Sequence, residues 1–175
     1  AEAGVRRFIF LSTVKVNGES TQPGKPFTAD DAPGPSDPYG LSKLEAEEEL
    51  GRVSESTGLE VVVIRPVLIY GPGAKANLRS MMTWLRRGVP LPLGAIDNRR
   101  SLLALDNLTD LIATCLQHPD AAGHVFLASD GEDLSTSALL RRTAAAMGLA
   151  ARLLPVPPRL LQVGARCLGK SGMER

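Results

Sequence analysis

Residues 60–73, EVVVIRPVLIYGPG, form the stretch that decides the fold. The run opens with β-branched residues and shows no polar alternation, which is typical of a strand buried on both faces of a sheet. Such strands occur mainly in parallel sheets that are covered by helices. The sequence therefore predicts an α/β protein.

A second strand and a helix precede this stretch. RRFIFLST, residues 6–13, is apolar and flanked by charge, which predicts another buried strand. Asp37 can cap a helix whose first turn holds Pro38, and Gly58 can end it. Its expected apolar stripe consists of Leu41, Leu44, Leu50 and Val53. Strand, crossover helix and strand together predict a right-handed βαβ unit and a parallel sheet.

The carboxyl ends of these two strands indicate where a ligand would bind. In open parallel sheets, ligands bind just beyond those ends, which here are Ser12–Thr13 and Pro66–Val67. Residues 17–37 are rich in Gly, Pro, Asp and Ser and predict a long loop. Structureless loops of this length are usually functional in compact domains.

DPYGLSK, residues 37–43, spaces Tyr39 and Lys43 one helical turn apart. A tyrosine hydroxyl is a poor base near neutral pH, but a nearby ammonium group favours its phenolate form. Such a tyrosine can exchange a proton with a substrate alcohol within hydrogen-bond reach. The spacing alone is weak evidence, and its position at the start of the crossover helix makes us favour a catalytic pair.

The later part of the chain predicts shorter elements. We expect a first domain over residues 1–73, and over 74–175 a mostly substrate-binding region with late elements of the first domain interleaved. The expected helices are 77–88, an Asp106-capped helix to Gln117, Ser135–Met147, and an amphipathic helix in PRLLQVGARCLGK. The expected strands are RSLLAL, HVFLAS and RLLPVP.

The amino-acid composition limits the binding partners and the cellular compartment that we expect. The net charge of +1 gives no electrostatic reason to expect nucleic acid or an anionic membrane. Cys115 and Cys167 lie far apart in apolar contexts and are expected to be buried thiols, with no metal-ligand cluster. No apolar run approaches the ~18 residues that span a bilayer, and no signal peptide is apparent. We therefore expect a cytoplasmic protein.

Three linked motifs, FIFLSTVKVNG, DPYGLSK and VVVIRPVLIYGPG, together resemble the extended short-chain dehydrogenase/reductases, the NAD-dependent epimerase/dehydratases of nucleotide sugars. The resemblance covers about residues 4–155. It implies the C-terminal part of a Rossmann-type doubly wound parallel sheet, with a small α/β substrate-binding region. It also implies NAD as cofactor, with NADP left open, a nucleotide-sugar substrate, and a homodimer for the full-length protein.

The resemblance also implies a set of site residues. The implied catalytic residues are Thr13, which orients the substrate, Tyr39 as acid/base, and Lys43, which favours the phenolate and holds the nicotinamide ribose. The implied cofactor-binding residues are Leu11, Ser12, Tyr39, Lys43, Pro66 and Val67. The implied substrate-binding residues are Thr13, Asn77, Leu78 and Arg100, with Arg100 on the diphosphate.

Departures from the family pattern limit the reactions that we expect. The 4,6-dehydratases carry Asp-Glu where this chain has Val14–Lys15, so we do not expect dehydration. Leu68 replaces an asparagine of many epimerases, and Ser101 follows Arg100 where the family has aspartate. A 4-epimerase and a 4-keto reductase both remain open. The alternatives are a non-catalytic cofactor or nucleotide sensor, and a dehydrogenase of a hydrophobic alcohol such as a sterol.

The phosphate-binding glycine loop of the family is not found in the sequence. GPGAKA, residues 71–76, formally fits G-x-G-x-x-A, but no acidic residue follows at the end of a next strand. We interpret it as a turn in a substrate loop. The chain is therefore expected to be the C-terminal part of a longer enzyme, and to bind NAD poorly by itself.

Overall fold

The computed structural model describes residues 4–22, 24–73, 77–157 and 159–161. The strands are β1 (Arg7–Leu11), β2 (Glu60–Pro66), β3 (Leu68–Tyr70), β4 (Arg100–Ala104), β5 (Val125–Ala128) and β6 (Asp133–Leu134). The helices are α1 (Pro38–Thr57), α2 (Asn77–Arg86), α3 (Leu105–Gln117) and α4 (Thr136–Ala146). The chain divides into a first unit, Ala1–Gly71 with Leu102–Asp130, and a second unit, Pro72–Ser101 with Gly131–Arg175.

The first unit contains a parallel sheet in the order β1-β2-β5. Its register pairs Leu11 with Ile64 and Val63 with Val125. The predicted parallel α/β sheet is therefore confirmed. The strand β2 ends at Pro66, which confirms the predicted end at Pro66–Val67. The short strand β3 follows after a break at Val67 and pairs in parallel with residues of β4.

The central strand β2 is covered on both faces, as its sequence predicted. Val62 and Ile64 are fully buried and pack with Leu108 and Cys115 of α3. Val61 and Val63 point to the other face and pack with a cluster that includes Leu50 of α1. Because successive side chains of a strand alternate between faces, this burial produces helices on both sides of the sheet.

Helix α1 begins and ends where the sequence predicted. The carboxylate of Asp37 accepts a hydrogen bond from the Gly40 N–H, Pro38 occupies the first turn, and Gly58 ends the helix with a left-handed φ of 70°. The predicted apolar stripe is wrong for Leu41 and Val53, which are 48% and 41% exposed. The face of α1 that meets the sheet is instead partly polar.

An ion pair accounts for that polar face. The guanidinium of Arg65, in β2, binds Glu47 of α1 with nitrogen–oxygen distances of 2.6–3.2 Å. Both side chains are less than 10% exposed. Arg65 also donates to the Asn17 side chain at 3.0 Å, and Asn17 donates to the Thr28 carbonyl at 2.9 Å. One buried charge therefore connects the sheet, the helix and the loop of residues 17–37.

The second unit has its own apolar core and its own strand pairing. Leu85 of α2 packs with Leu140 and Ala144 of α4 and with Leu91. Within this unit, Arg100 and Ser101 of β4 pair antiparallel with β6. The predicted strand RLLPVP is wrong: it contributes an isolated bridge between Leu153 and Leu91. Its prolines lack the N–H groups that a longer ladder requires.

Two further predictions concern helix ends. The Asp106 cap is wrong, since α3 begins at Leu105 and Asp106 lies in its first turn. The N–H of Ala104, the N-cap residue, donates instead to the Asp130 carboxylate at 3.1 Å. The predicted C-terminal helix and Cys167 lie almost entirely outside the described residues, apart from a helical start at 159–161.

Removing the Glu47 carboxylate should destabilise the fold strongly. Glu47→Ala leaves the Arg65 guanidinium buried without its counter-charge, and such a loss typically costs about 3–5 kcal/mol. We expect the urea midpoint to fall accordingly, and the double variant Glu47→Ala/Arg65→Met to recover part of the loss. Glu48→Ala, on the exposed side of the same helix, is the matched control and should change stability by less than about 0.5 kcal/mol. Equal effects of the two alanine substitutions would contradict the assigned role of the ion pair.

Candidate active site

The carboxyl ends of β1 and β2 lie side by side in the first unit. Leu11, the last residue of β1, is in register with Ile64, so Thr13 lies level with Pro66. The Ser12 N–H donates to the Ile64 carbonyl at 2.8 Å, which continues the pairing one residue further. The Val67 N–H similarly donates to Ala128 of β5 at 3.2 Å. Five of the predicted site residues, Leu11, Ser12, Thr13, Pro66 and Val67, therefore share one edge of the sheet.

Lys43 connects helix α1 to this edge. Its Nζ donates to the Leu11 carbonyl oxygen at 3.0 Å and lies 4.7 Å from the centre of the Phe10 ring. Tyr39, one turn earlier on the same helix, is 53% exposed. The ammonium group is thus held at the end of β1, and the tyrosine is accessible to a ligand from solvent.

A second lysine holds the start of α1. Lys15, two residues after Thr13, forms an ion pair with Asp37, the N-cap residue of the helix, and another with Glu19 at 3.0 Å. The hydrogen bond from Lys15 and then that from the Gly40 N–H lower the pKa of Asp37. The same bond to Asp37, followed by that to Glu19, raises the pKa of Lys15. Lys15 therefore occupies the position of the dehydratase glutamate as a structural cation.

Gly40 allows the helix to approach this loop closely. A Cβ atom at residue 40 would lie 3.0 Å from the Lys15 carbonyl oxygen and 3.1 Å from the Pro35 Cβ. Both distances are shorter than ordinary van der Waals contact. The glycine between Tyr39 and Lys43 is thus needed for the docking of the first turn of α1 against the chain that follows Thr13.

Ser12 is the unusual polar group of the site. Its side chain is buried, and its Oγ has no hydrogen-bond partner in the described part of the chain. Buried polar atoms are nearly always paired, so an unpaired hydroxyl suits a ligand group that is not part of the protein. The Ser12 hydroxyl, the exposed Tyr39 side chain and the remaining N–H groups of Lys43 are polar groups that would suit the nicotinamide riboside end of NAD.

Three of the four predicted substrate residues belong to the second unit, whereas Thr13 belongs to the first. Asn77 is the first residue of α2, Leu78 follows it and is half-buried, and Arg100 is exposed at the start of β4. Ser101, which replaces the aspartate of the family, donates to the Asp133 carboxylate at 2.6 Å. Asp133 of β6 thus places a carboxylate beside residue 101 of β4.

Asp130 is a residue that the sequence analysis missed. Its carboxylate accepts hydrogen bonds from the Asn107 amide at 2.7 Å, the Tyr70 hydroxyl at 2.9 Å and the Ala104 N–H. These bonds, that from Asn107 foremost, lower the pKa of Asp130. Asp130 therefore joins the ends of β3, β4 and β5 in the first unit. A single aspartate after a strand gave no signal for this role.

The described residues contain neither a cluster of metal ligands nor a membrane-spanning helix. No group of three His, Cys, Asp or Glu side chains there could hold a metal ion. No helix within the same ranges has the length and apolar character required to cross a membrane. The thiol of Cys115 is free and buried, and burial raises its pKa, as expected of a structural cysteine.

A parallel sheet whose carboxyl edge meets a Tyr-x-x-x-Lys helix resembles the dinucleotide-dependent enzymes of the short-chain dehydrogenase/reductase type. A sequence model of the NAD dependent epimerase/dehydratase family matches residues 1–128. The chain therefore belongs to this NAD-dependent family.

Relatives and solved structures agree with that assignment. The chain is 48% identical to a UDP-glucose 4-epimerase of Vibrio cholerae over 97% of its own length and 52% of the relative. It is 30% identical to a 2-alkyl-3-oxoalkanoate reductase of Stenotrophomonas maltophilia, over 83% and 46% of the two chains. The UDP-glucose 4-epimerase of Thermus thermophilus, in complex with NAD, has the same fold, with a TM-score of 0.72, 23% identity, and coverage of 90% and 53%. The chain spans about half the length of these proteins.

The ion pair of Asp37 should make stability depend on pH in acid. Because its pKa is lowered in the folded state, its contribution is complete above its unfolded pKa of about 3.9 and is lost as pH falls through the folded value. Asp37→Asn keeps an N-cap acceptor but removes the charge. We expect this variant to be less stable than the parent near neutral pH, and the difference to close in strong acid.

Urea midpoints measured across the acid range test this expectation. Asp30→Asn is the control, since Asp30 is exposed and has no partner among the described residues. Its difference from the parent should stay near zero at every pH. A difference for Asp37→Asn that persisted unchanged at the acid end would exclude the ion pair as its cause.

Proposed function

We propose that the protein carrying this chain is an NAD-dependent nucleotide-sugar 4-epimerase or 4-keto reductase, with UDP-hexose as the substrate class. The observation that carries the proposal is the docking of the Tyr39 helix at the carboxyl edge of the sheet through the Lys43–Leu11 bond. The 48% identity to the Vibrio cholerae UDP-glucose 4-epimerase, over nearly the whole chain, supports this substrate class.

The proposed chemistry divides between the cofactor and the protein. NAD, when bound, supplies the two-electron oxidation or reduction at C4 of the sugar. Tyr39 takes the proton of the C4 hydroxyl in the oxidative direction and returns it in the reductive direction. Lys43 stabilises the phenolate by its positive charge. Thr13, in the segment that leads into the loop of Lys15, orients the hydroxyl group by a hydrogen bond.

The substrate contacts of the second unit complete this proposal. Asn77 and Leu78 would contact the nucleotide sugar, and Arg100 would bind its diphosphate, since a planar guanidinium matches phosphate oxygens with two parallel hydrogen bonds. Arg100 is exposed and has no ion-pair partner among the described residues, which leaves its donors available. With Val14–Lys15 in place of the acid pair of the dehydratases, elimination of water is not part of the proposed reaction.

A second candidate is a reductase of a hydrophobic oxo compound. The 30% identity to the 2-alkyl-3-oxoalkanoate reductase favours it, and the same Tyr–Lys pair would serve. Binding of UDP-sugars and of alkyl oxo acids, compared side by side, separates the two candidates. A sensor without catalysis has less support, because both residues of the pair are present. The proposed compartment is the cytoplasm, in agreement with the free thiol of Cys115.

Replacing Tyr39 with phenylalanine should abolish most of the activity. The change removes the proton-exchanging hydroxyl and little else, and general acid–base catalysis contributes about 10²–10⁴-fold to a rate. We expect turnover of UDP-sugar to fall by that factor, with binding of UDP-sugar and NAD nearly unchanged. Tyr70→Phe is the matched control: it breaks the bond to Asp130 and should reduce turnover far less. Equal turnover by Tyr39→Phe and the parent would refute the assigned role.

The 175 residues on their own should bind NAD weakly. They offer groups for the nicotinamide riboside, but the sequence contains no glycine loop for the pyrophosphate. Isothermal titration of NAD into the isolated chain should give no measurable heat at micromolar concentrations. A micromolar dissociation constant would mean that the pyrophosphate is bound by another part of these residues.

A further inference from the structure

The two units carry net charges of opposite sign, which nearly cancel in the net charge of the whole chain. The second unit contains thirteen lysines and arginines and four aspartates and glutamates, which gives +9. The first unit contains seven and fifteen, which gives −8, and the two values sum to the net charge of +1. Charge asymmetry of this size between parts of one chain indicates an anionic partner for the basic part.

The positive charge of the second unit is at its surface and mostly unneutralised. All its described basic residues are exposed arginines: Arg79, Arg86, Arg87, Arg99, Arg100, Arg141, Arg142, Arg152 and Arg159. Of these, Arg142 has an ion pair, with Glu132 at 2.6 Å. The other eight have no carboxylate partner among the described residues. A single substrate diphosphate would neutralise only a small part of this charge.

Large apolar side chains are exposed at positions close in sequence to several of these arginines. Trp84 is 43% exposed and Val89 44%. Leu154 is 50% exposed. The Leu91 N–H donates to the Arg152 carbonyl at 2.9 Å, and the Leu154 N–H donates to Leu91 at 2.8 Å. These bonds bring residues 152–154 beside the chain that follows α2.

We propose that this basic apolar surface, formed by Trp84, Arg86, Arg87, Val89, Arg152 and Leu154, docks onto an anionic phospholipid bilayer. Arginine heads bind lipid phosphates, while tryptophan and aliphatic side chains enter the boundary between headgroups and acyl chains. Docking of this kind needs no membrane-spanning helix. The proposal is independent of the catalytic roles assigned to the first unit.

Nucleic acid fits this surface less well. Single strands are held by a basic groove together with aromatic side chains on which bases stack. The surface offers one tryptophan, and the exposed Val89 and Leu154 gain nothing from a sugar–phosphate backbone. In a bilayer the same two side chains leave water, which is favourable by the hydrophobic effect.

Vesicle binding tests the proposal. The protein should co-sediment with vesicles of phosphatidylcholine and phosphatidylglycerol, and not with phosphatidylcholine alone. Raising the salt from 0.1 M to 1 M shortens the Debye length from about 10 Å to about 3 Å, so binding should weaken steeply. Trp84 is the single tryptophan of the chain, so its fluorescence should shift to the blue when the anionic vesicles bind.

Charge-reversal variants locate the contact. Each basic residue near an anionic surface contributes about five-fold to binding, so Arg86→Glu/Arg87→Glu should weaken vesicle binding about 25-fold or more. Arg6→Glu/Lys25→Glu changes the net charge by the same amount on the first unit and should weaken it less than about two-fold by the same reasoning. Circular dichroism checks that both variants keep the parent fold.

Four results would overturn the proposal. The first is no binding to the anionic vesicles at low salt. The second is an equal loss of binding in the two double variants, and the third is binding without a change in the fluorescence of Trp84. The fourth is tighter binding of a single-stranded oligonucleotide than of the vesicles at the same salt concentration, which would assign the surface to nucleic acid.

Discussion

The buried Arg65 is the constraint on which the arrangement of the first unit depends. A guanidinium cannot lie in the centre of a sheet without a counter-charge, because its desolvation would cost several kcal/mol. Glu47 of α1 supplies that charge, and Asn17 binds the nitrogen that Glu47 leaves free. The strand therefore fixes where the helix and the long loop must lie. The proposed catalytic pair lies on the same helix, so the Arg65–Glu47 contact also helps to fix its position.

The start of α1 is held by a second set of polar contacts. Lys15 binds Asp37, Gly40 permits the close approach, and Lys43 binds the last carbonyl of β1. The first turns of the tyrosine helix are thus held at three points, one at the end of β1 and two at the segment that contains Lys15. An acid/base group must lie within hydrogen-bond reach of its substrate, so such attachment suits the function proposed for Tyr39.

Much of this could be predicted from the sequence. The β-branched run of β2, the cap at Asp37 and the stop at Gly58 are local signals, and they predicted the parallel sheet and both ends of α1. The Arg65–Glu47 pair, the Lys15–Asp37 pair and the Asp130 contacts could not be predicted, because each joins residues distant in sequence. The prediction of an apolar stripe on α1 failed in part for the same reason. The spacing of hydrophobic residues within the helix does not show that a buried arginine of the sheet requires a polar partner on it. Charge counted over the whole chain likewise hid its division between two units that interleave in sequence.

The polar attachment of α1 has a consequence for precision. An apolar helix face can slide on its neighbour by a fraction of a turn with little change in buried area. A helix held by Arg65, Lys15 and Lys43 at once has a single register, since a shift of one residue would break every directional bond together. Such a helix exchanges some stability for uniqueness. A substitution that lets α1 slide would then make the position of the tyrosine hydroxyl less well defined, even where the sheet stays folded.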